Sequence, residues 1–183
     1  MKVCGLDEAG RGALAGPLVA AAVTNLNFEI RNLKDGKLLT PKKREEIYKI
    51  AVDGGVKIII ETILAEEINQ IGIQKANIKI FENLIKKITA SKYIVDGNLK
   101  IEGAESIVDA DATIPEVVLA GIVAKVERDK IMKNLHEEFN LYSWDENKGY
   151  GTKKHIEAIN QFGSCCYHRN IFVSTALSHL PAH

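Results

Sequence analysis

Four acidic residues are spaced so that they could do chemistry together. Each lies at the end of a short apolar run, and they are Asp7, Glu8, Asp96 and Asp111. In open α/β sheets, ligand sites gather at the ends of strands. Carboxylates that meet there would form an oxygen-rich pocket suited to Mg²⁺ or Mn²⁺. Two such ions about 3.5–4 Å apart can activate a water and stabilise a leaving oxygen in phosphodiester hydrolysis.

The cost of clustering carboxylates favours a cation among them. Two carboxylates 4 Å apart repel each other by about 4 kcal/mol at an effective dielectric constant of 20. A simpler interpretation stays open, because Asp is common in the turns that follow strands whatever the function. Strand order is not visible in a sequence, so the convergence of the four acids is a hypothesis at this point.

The elements that must position these acids alternate between strand and helix. Strands are predicted at residues 2–6, 17–24, 56–64 and 93–97, with the pattern repeated at 106–111. Helices are predicted at residues 41–53, 65–88 with a break near Gly72, 115–139 and 152–163, with a polar loop at 140–151. The opening strands are joined by a short glycine-rich turn, so the order indicates an α/β fold with a mixed sheet.

Composition sets broad limits on function. The 183 residues favour a single domain over residues 1–183. Lys plus Arg equals Asp plus Glu at 24 each, so any nucleic-acid contact must come from local basic clusters. The three cysteines fit no zinc spacing, and no apolar stretch reaches the roughly 18 residues of a membrane span. Without a signal-peptide pattern at the start, we expect a cytoplasmic protein.

Longer motifs resemble those of one known family. The opening block is GLDEAGRG at residues 5–12. Further matches follow in the family's order, namely PKKRE at 41–45, VDG at 95–97, IVAKVxRD at 122–129, KGYGTKxH at 148–155 and HR at 168–169. Together they resemble the bacterial-type type 2 ribonucleases H, or ribonucleases HII. Type 3 enzymes usually have Lys in the glycine motif, whereas this chain has Arg11.

The resemblance implies a fold and an activity. The fold is ribonuclease H-like α/β, a mixed β-sheet flanked by helices, with a helical C-terminal segment from about residue 140 that contributes to substrate binding. The implied enzyme is a metal-dependent endoribonuclease that acts on RNA–DNA hybrids and on duplex DNA with embedded ribonucleotides. It would cut 5′ of the ribonucleotide and leave a 3′-hydroxyl and a 5′-phosphate. We expect a monomer with no membrane partner, and no sliding-clamp contact is evident in residues 172–183.

The resemblance also assigns residues. It implies that the catalytic metal ligands are Asp7, Glu8, Asp96 and Asp111, with two Mg²⁺ or Mn²⁺ ions during catalysis. Asp109 and Asp129 compete for the fourth place, since Asp109 would share a face with Asp111 on an extended segment. Asp129 lies in a helical stretch, where an ion pair or a surface role fits better. The implied substrate-binding residues are Gly10, Arg11, Gly12, Lys37, Lys43, Lys148 and Tyr150, among which Tyr150 packs on a sugar and the glycines admit a 2′-hydroxyl.

The chain departs from the family pattern at three places. Gly36 stands where Ser is usual, Asp109 where Lys is usual, and the run at 119–122 has Gly121 within a segment that commonly reads Ser-Ala-Ala-Ser. The lost hydroxyls and positive charges predict an active enzyme that binds its substrate more weakly. Two alternatives stay open, a catalytically weak or inert nucleic-acid-binding module of this fold and another two-metal nuclease. Neither explains residues 10–12 together with residues 148–151.

Overall fold

A mixed five-stranded sheet forms the centre of the computed structural model, which describes residues 2–26 and 39–178. Its strands are β1 (Val3–Ala9), β2 (Leu18–Thr24), β3 (Lys57–Ile63), β4 (Lys92–Asp96) and β5 (Glu105–Ile107). The spatial order is β3-β2-β1-β4-β5. β2 runs antiparallel to both β1 and β3, whereas β1, β4 and β5 run parallel. The predicted mixed α/β sheet is therefore confirmed.

Helices cover both faces of this sheet. The helices of the described residues are α1 (Pro41–Asp53), α2 (Ala65–Ile71), α3 (Ile73–Lys87), α4 (Pro115–Glu138), α5 (Trp144–Asn147), α6 (Lys153–Phe162) and α7 (Asn170–Ser178). Those that pack on the strands include α3 on one face and α1 and α4 on the other. No helix in the described ranges is long and apolar enough to cross a bilayer. The last three helices confirm the predicted helical C-terminal segment.

β2 is buried along its whole length because it packs on helices on both sides. Leu18, Ala20 and Ala22 lie in the cluster that contains Phe81 of α3. The alternate residues Ala21 and Val23 lie in the cluster formed with α1 and α4. This alternation follows from the two-residue period of a strand, and the small side chains let α4 lie close to the sheet.

Local signals set the helix boundaries where the sequence predicted them. The Thr40 hydroxyl accepts a hydrogen bond from the backbone N–H of Lys43 at 3.3 Å, and Pro41 occupies the first turn of α1. Thr152 caps α6 in the same way through the N–H of His155 at 3.3 Å. Gly72, with φ +81°, separates α2 from α3, which confirms the predicted break.

The segment after β4 differs from its prediction. β5 ends at Ile107 instead of extending to residue 111, and Asp109 adopts the left-handed conformation with φ 58°. Residues Ala110–Ala112 then form a turn of 3₁₀ helix. The extended geometry that would put Asp109 and Asp111 on one face is therefore wrong. Asp tolerates the left-handed region better than most residues, which makes this change of direction possible.

The predicted polar loop at 140–151 also contains regular structure. Asn140–Tyr142 form a 3₁₀ turn and α5 follows directly. The rings of Tyr142 and Trp144 stack at 5.0 Å between centroids and lie in a third apolar cluster with Leu14 and Met132. These two aromatic residues therefore anchor the loop to the rest of the fold.

Candidate active site

The structure brings the four predicted acids to one edge of the sheet. Asp7 and Glu8 lie near the end of β1, and Asp96 is the last residue of β4. Leu6 pairs with Val95, so Asp7 and Asp96 follow side by side on parallel neighbours.

Asp111 reaches the same place from the 3₁₀ turn. Its backbone N–H donates to Oδ1 of Asp96 at 3.2 Å. The turn that replaces the predicted extended segment thus places Asp111 against Asp96. Asp109, by contrast, is exposed.

The charges of the other three acids act on the carboxyl of Asp7. Burial raises the pKa of its carboxyl well above the ordinary value, and the charges of Glu8, Asp96 and Asp111 raise it further. A hydrogen bond from the N–H of Glu8 to Asp7 Oδ1, at 2.7 Å, acts in the opposite direction. The four carboxylates are therefore within electrostatic reach of one another.

Two neighbouring side chains partly offset the cost of burying the charge of Glu8. Burial raises the pKa of its carboxyl as well, while Asn77 and Arg11 lower it. Asn77 Nδ2 donates to Glu8 Oε1 at 3.3 Å, and a guanidinium nitrogen of Arg11 lies 3.9 Å from the same oxygen. Asn77 is almost fully buried on α3, so it fixes the direction of the Glu8 side chain.

Gly121 on α4 provides the space that Asp7 occupies. A Cβ at residue 121 would lie 2.3 Å from Oδ2 of Asp7. One of the three departures from the family pattern therefore touches a candidate catalytic carboxylate directly. With an alanine there, either the carboxylate or the helix would have to move.

A cleft of about 390 Å³ opens above Asp7, Glu8 and Asp111, whereas Asp96 lies behind its lining. Its lining consists of Asp7, Glu8, Ala9, Gly10, Arg11, Gly12, Arg44, Asp111, Val118, Gly121, Ile122, Lys125 and Tyr150. Arg44, which the sequence predicts on a solvated helix face with some phosphate contact, lines this cleft. Lys125 is a cleft residue that was not predicted, although it lies inside a quoted motif. Lys125 is one helical turn beyond Gly121, and that four-residue spacing is the signal that could have identified it.

Lys125 links the cleft to two other predicted residues. Its ammonium donates to Asp129 Oδ1 at 2.6 Å and lies 5.5 Å from the centroid of the Tyr150 ring. Asp129 is thus ion-paired on α4, as the sequence predicted for this competitor of Asp111.

The glycine motif forms part of the rim of the cleft. Gly10 has φ +92°, and a Cβ there would lie 1.9 Å from Nε of Arg128, so only glycine fits. Arg11 and Gly12 are exposed. Tyr150 completes the rim on the other side, 5.1 Å from the guanidinium carbon of Arg128.

Two of the predicted substrate-binding lysines do not line the cleft. Lys43 is exposed on α1 and pairs with Glu46 at 3.0 Å. The Lys148 ammonium donates to the backbone oxygen of Asp145 instead of lining the cleft. Lys37 and the departure at Gly36 lie outside the described residues.

Two buried arginines hold the loop that follows β1. Arg128 donates to the carbonyl oxygens of Pro17, Lys148 and Ala15 at 2.8–3.1 Å. Arg169 donates to the carbonyl oxygens of Gly16, Gly10 and Arg11 at 2.7–3.1 Å. Burial lowers the pKa of both guanidinium groups. The charged groups are stabilised by backbone carbonyls, and the loop conformation depends on them.

The donor set fits a hard divalent cation. Carboxylate oxygens are the ligands that Mg²⁺ and Mn²⁺ prefer, and a cation would relieve the repulsion that acts on Asp7. Within residues 2–26 and 39–178, no group of three or more His, Cys, Asp or Glu side chains already has the spacing of a metal site. The four carboxylates are therefore electrostatic neighbours, not a preformed coordination shell.

The sheet and its flanking helices define the ribonuclease H-like class of α/β proteins. The structure is similar to the ribonuclease HII of Archaeoglobus fulgidus solved in complex with PCNA, with a TM-score of 0.80, 24% identity, and 92% of this chain and 94% of that chain covered. It is also similar to Bst-RNase HIII solved in complex with Mn²⁺, with a TM-score of 0.77 and 18% identity over 97% of this chain and 70% of that chain. At these identities the likeness shows the fold.

Sequence comparison identifies the family within that class. The family model described as ribonuclease HII matches residues 4–175. The ribonuclease HII of Pelagibacter ubique is 43% identical over 180 residues, which cover 94% of this chain and 96% of that protein. The chain belongs to the ribonuclease HII family and is a hydrolytic ribonuclease.

Proposed function

We propose that this ribonuclease cuts on the 5′ side of ribonucleotides, both in RNA–DNA hybrids and at single ribonucleotides embedded in duplex DNA. The products would carry a 3′-hydroxyl and a 5′-phosphate. One observation carries the proposal, namely that carboxylates from three elements lie together at a cleft whose rim combines the glycine motif with Tyr150. Asp7, Glu8 and Asp111 line this cleft, and Asp96 lies beside them. That rim would identify the sugar, and the acids would support the hydrolysis.

Asp7, Glu8, Asp96 and Asp111 are the residues that would hold Mg²⁺ or Mn²⁺. Divalent ions held by such acids supply an activated water and charge stabilisation for the leaving oxygen. The protein's own contribution is to orient the ligands. Asn77 fixes Glu8, the backbone of Glu8 fixes Asp7, and the backbone of Asp111 fixes Asp96.

The glycine motif would bring backbone groups close to the 2′-hydroxyl, the group that distinguishes RNA from DNA. Gly10 is required by the protein's own packing against Arg128. Gly12 differs, because a Cβ there would meet no described atom within 4 Å. Its open surroundings leave room for a close approach of substrate. Arg44 and Lys125, on the same cleft, are suited to contact phosphates of the bound strand.

Tyr150→Ala should impair cutting at a single embedded ribonucleotide more than cutting of a continuous hybrid. The reason is that the single ribonucleotide presents only one RNA-to-DNA junction, so an error in recognising that junction cannot be compensated elsewhere. We expect a loss of about tenfold in kcat/KM on the single-ribonucleotide duplex, as for removal of one base- or sugar-stacking ring. Steady-state kinetics on the two substrates would measure it.

Tyr150→Phe is the matched control. It keeps the ring that lies against Lys125 and Arg128, so its kinetics should stay close to those of the wild type. Equal losses on both substrates for Tyr150→Ala would reduce Tyr150 to a structural anchor.

Divalent cations should raise the melting temperature if they bind the acid cluster of the folded state. An ion at ten times its Kd adds about 1.4 kcal/mol to the free energy of unfolding. For a chain of this size the melting temperature should rise by roughly 3–6 °C. The double variant Asp7→Ala, Asp96→Ala should lose the shift in a Mn²⁺ titration followed by differential scanning fluorimetry. A shift of the same size in that variant would place the ion elsewhere.

A strand-specific assay tests the proposed activity. An RNA–DNA hybrid would carry one label on the RNA strand and a different label on the DNA strand, and would be incubated with Mg²⁺ or with EDTA. We expect internal cuts in the RNA strand alone, and only with Mg²⁺. Binding of the hybrid without any cutting would favour the inert nucleic-acid-binding module. Cutting of both strands would favour another two-metal nuclease.

A cytoplasmic location, a monomeric state and a single catalytic domain over residues 1–183 stay predictions.

A further inference from the structure

Two histidines form a buried contact behind the Tyr150 side of the cleft. Nε2 of His155 lies 3.2 Å from Nε2 of His168, and both residues are fully buried. Nδ1 of His155 lies 2.9 Å from the carbonyl oxygen of Tyr150. The indole N–H of Trp144 points to His155 Nε2 at 3.0 Å. At the far end, the backbone N–H of Cys165 points to Nδ1 of His168 at 3.0 Å.

These contacts determine the tautomer of each ring. The Tyr150 carbonyl can only accept, so Nδ1 of His155 must carry the proton. Nε2 of His155 is then an acceptor whose single lone pair is shared between Trp144 at 3.0 Å and His168 at 3.2 Å. Because Nδ1 of His168 accepts from Cys165, its proton must be on Nε2, which donates to His155. The two rings are therefore neutral and have opposite tautomers.

The electrostatic surroundings agree with two neutral rings. Burial lowers the pKa of His155. Burial and the neighbouring His155 lower the pKa of His168 to about 4. A proton added to His155 Nε2 would place two N–H donors 3.2 Å apart. A proton added to His168 Nδ1 would face the backbone N–H of Cys165 at 3.0 Å, so neither charged form fits this arrangement.

The contact joins the two halves of the rim. On one side, His155 holds the backbone of Tyr150. On the other side, His168 forms an antiparallel bridge with Ala15, and its neighbours Tyr167 and Arg169 exchange backbone hydrogen bonds with Gly16 and Leu14 at 2.8 Å each. Residues 14–16 continue directly from the glycine motif. The two sides are also joined directly, because the backbone N–H groups of Leu14 and Ala15 donate to the carbonyl oxygen of Gly149 at 2.8 and 3.1 Å. The histidine contact adds a hydrogen bond at Tyr150 itself, so a shift of one ring relative to the other would change how Tyr150 is oriented toward the glycine motif.

We propose that His155 and His168 are positioning residues for ribonucleotide recognition, in which a donor–acceptor pair of opposite tautomers holds the backbone of Tyr150 in its orientation toward the loop at residues 10–16. The pair touches neither the acids nor the cleft. The effect of the pair on recognition rests on the proposed role of Tyr150. The assignment of the two tautomers does not depend on that role.

Nitrogen chemical shifts test the tautomers without any substrate. In protein labelled with ¹⁵N-histidine at pH 7, long-range ¹H–¹⁵N spectra should show His155 protonated on Nδ1 and His168 protonated on Nε2. Spectra of His155→Asn and His168→Asn would assign the signals. A His155 ring protonated on Nε2, or a charged ring at this pH, would overturn the proposal.

Two substitutions at His155 separate positioning from packing. Asn places its amide near the Nδ1 position and can still donate to the Tyr150 carbonyl, but it loses the hydrogen bonds from Trp144 and His168. Gln reaches the Nε2 position and can still accept hydrogen bonds from Trp144 and His168, but it loses the hydrogen bond to the Tyr150 carbonyl. We expect His155→Gln to have the higher melting temperature of the two. We also expect it to raise KM about tenfold on the single-ribonucleotide duplex, with kcat on a continuous hybrid nearly unchanged.

The decisive result is that the two His155 variants rank in one order by melting temperature and in the opposite order by KM on the single-ribonucleotide duplex. His155→Asn should be the less stable variant and yet have a KM on the single-ribonucleotide duplex closer to that of the wild type. If the variant with the higher melting temperature also has the KM closer to that of the wild type, the histidine pair is only part of the core. If the tautomers are as assigned but Tyr150→Ala leaves recognition intact, the proposed role of Tyr150 fails while the assignment of the rings stands.

Discussion

Asp96→Asn is expected to lower the rate of cutting in Mg²⁺ by about 10²-fold or more, because it removes a charged ligand from a site that must hold divalent ions. The amide keeps the shape of the side chain, and its oxygen can still accept from the N–H of Asp111. The charge of Asp96 raises the pKa of the buried Asp7 carboxyl. The free energy of unfolding without metal should therefore stay the same or rise slightly. Single-turnover cleavage and thermal melts in EDTA would measure the two effects.

Asp129→Asn is the matched control for this variant. Asp129 is an acid of the same type on α4, bound to Lys125 at 2.6 Å and absent from the lining of the cleft. Its replacement should change the cutting rate only a few-fold, about the effect of a partly exposed ion pair. If Asp96→Asn cuts nearly as fast as the wild type, Asp96 does not belong to the catalytic site.

Arg169→Met should destabilise the fold strongly. The guanidinium donates to three carbonyl oxygens of the loop at residues 10–16 and is almost fully buried. Methionine fills much of the space but removes the guanidinium donors, and within the described residues only the Gly10 carbonyl keeps another hydrogen bond, from the N–H of Ala13 at 3.3 Å. Each unsatisfied buried group costs about 1–3 kcal/mol, so the free energy of unfolding should fall by about 3–5 kcal/mol.

Denaturant unfolding would measure the loss, and the melting temperature should fall by about 10 °C. Arg11→Met provides the stability control, since Arg11 is an exposed arginine of the same loop and should change the free energy of unfolding by about 0.5 kcal/mol or less. A melting temperature within about 2 °C of the wild type for Arg169→Met would show that water or the backbone replaces the guanidinium.

Most of the fold was predictable because its signals are local. The Thr40–Pro41 helix start, the break at Gly72 and the Thr152 cap depend on neighbouring residues, and the structure shows each of them. The turn at residues 109–112 was missed for a physical reason. Its apolar and acidic pattern fits a strand, but the left-handed conformation of Asp109 turns the chain and leads into the 3₁₀ turn that carries Asp111.

The candidate site was predictable to the extent that the acids marked it. Their spacing suggested a cluster, but their convergence depends on β4 lying parallel beside β1, which only the fold determines. All but one of the carbonyl groups that Arg128 and Arg169 bind lie more than 100 positions away in the chain. Their roles therefore could not be predicted from the sequence, since arginine is usually exposed. The contact between His155 and His168 is likewise tertiary.

The product of a single-ribonucleotide duplex tests the central claim most directly. Duplex DNA with one ribonucleotide, labelled at the 5′ end of the strand that contains it, would be cut in Mg²⁺ and mapped to single-nucleotide resolution. We predict one product, which ends in a 3′-hydroxyl immediately before the ribonucleotide and disappears in EDTA, in Asp96→Asn and with an all-DNA duplex. Equal cutting of the all-DNA duplex, or cutting that persists in EDTA, would contradict the account.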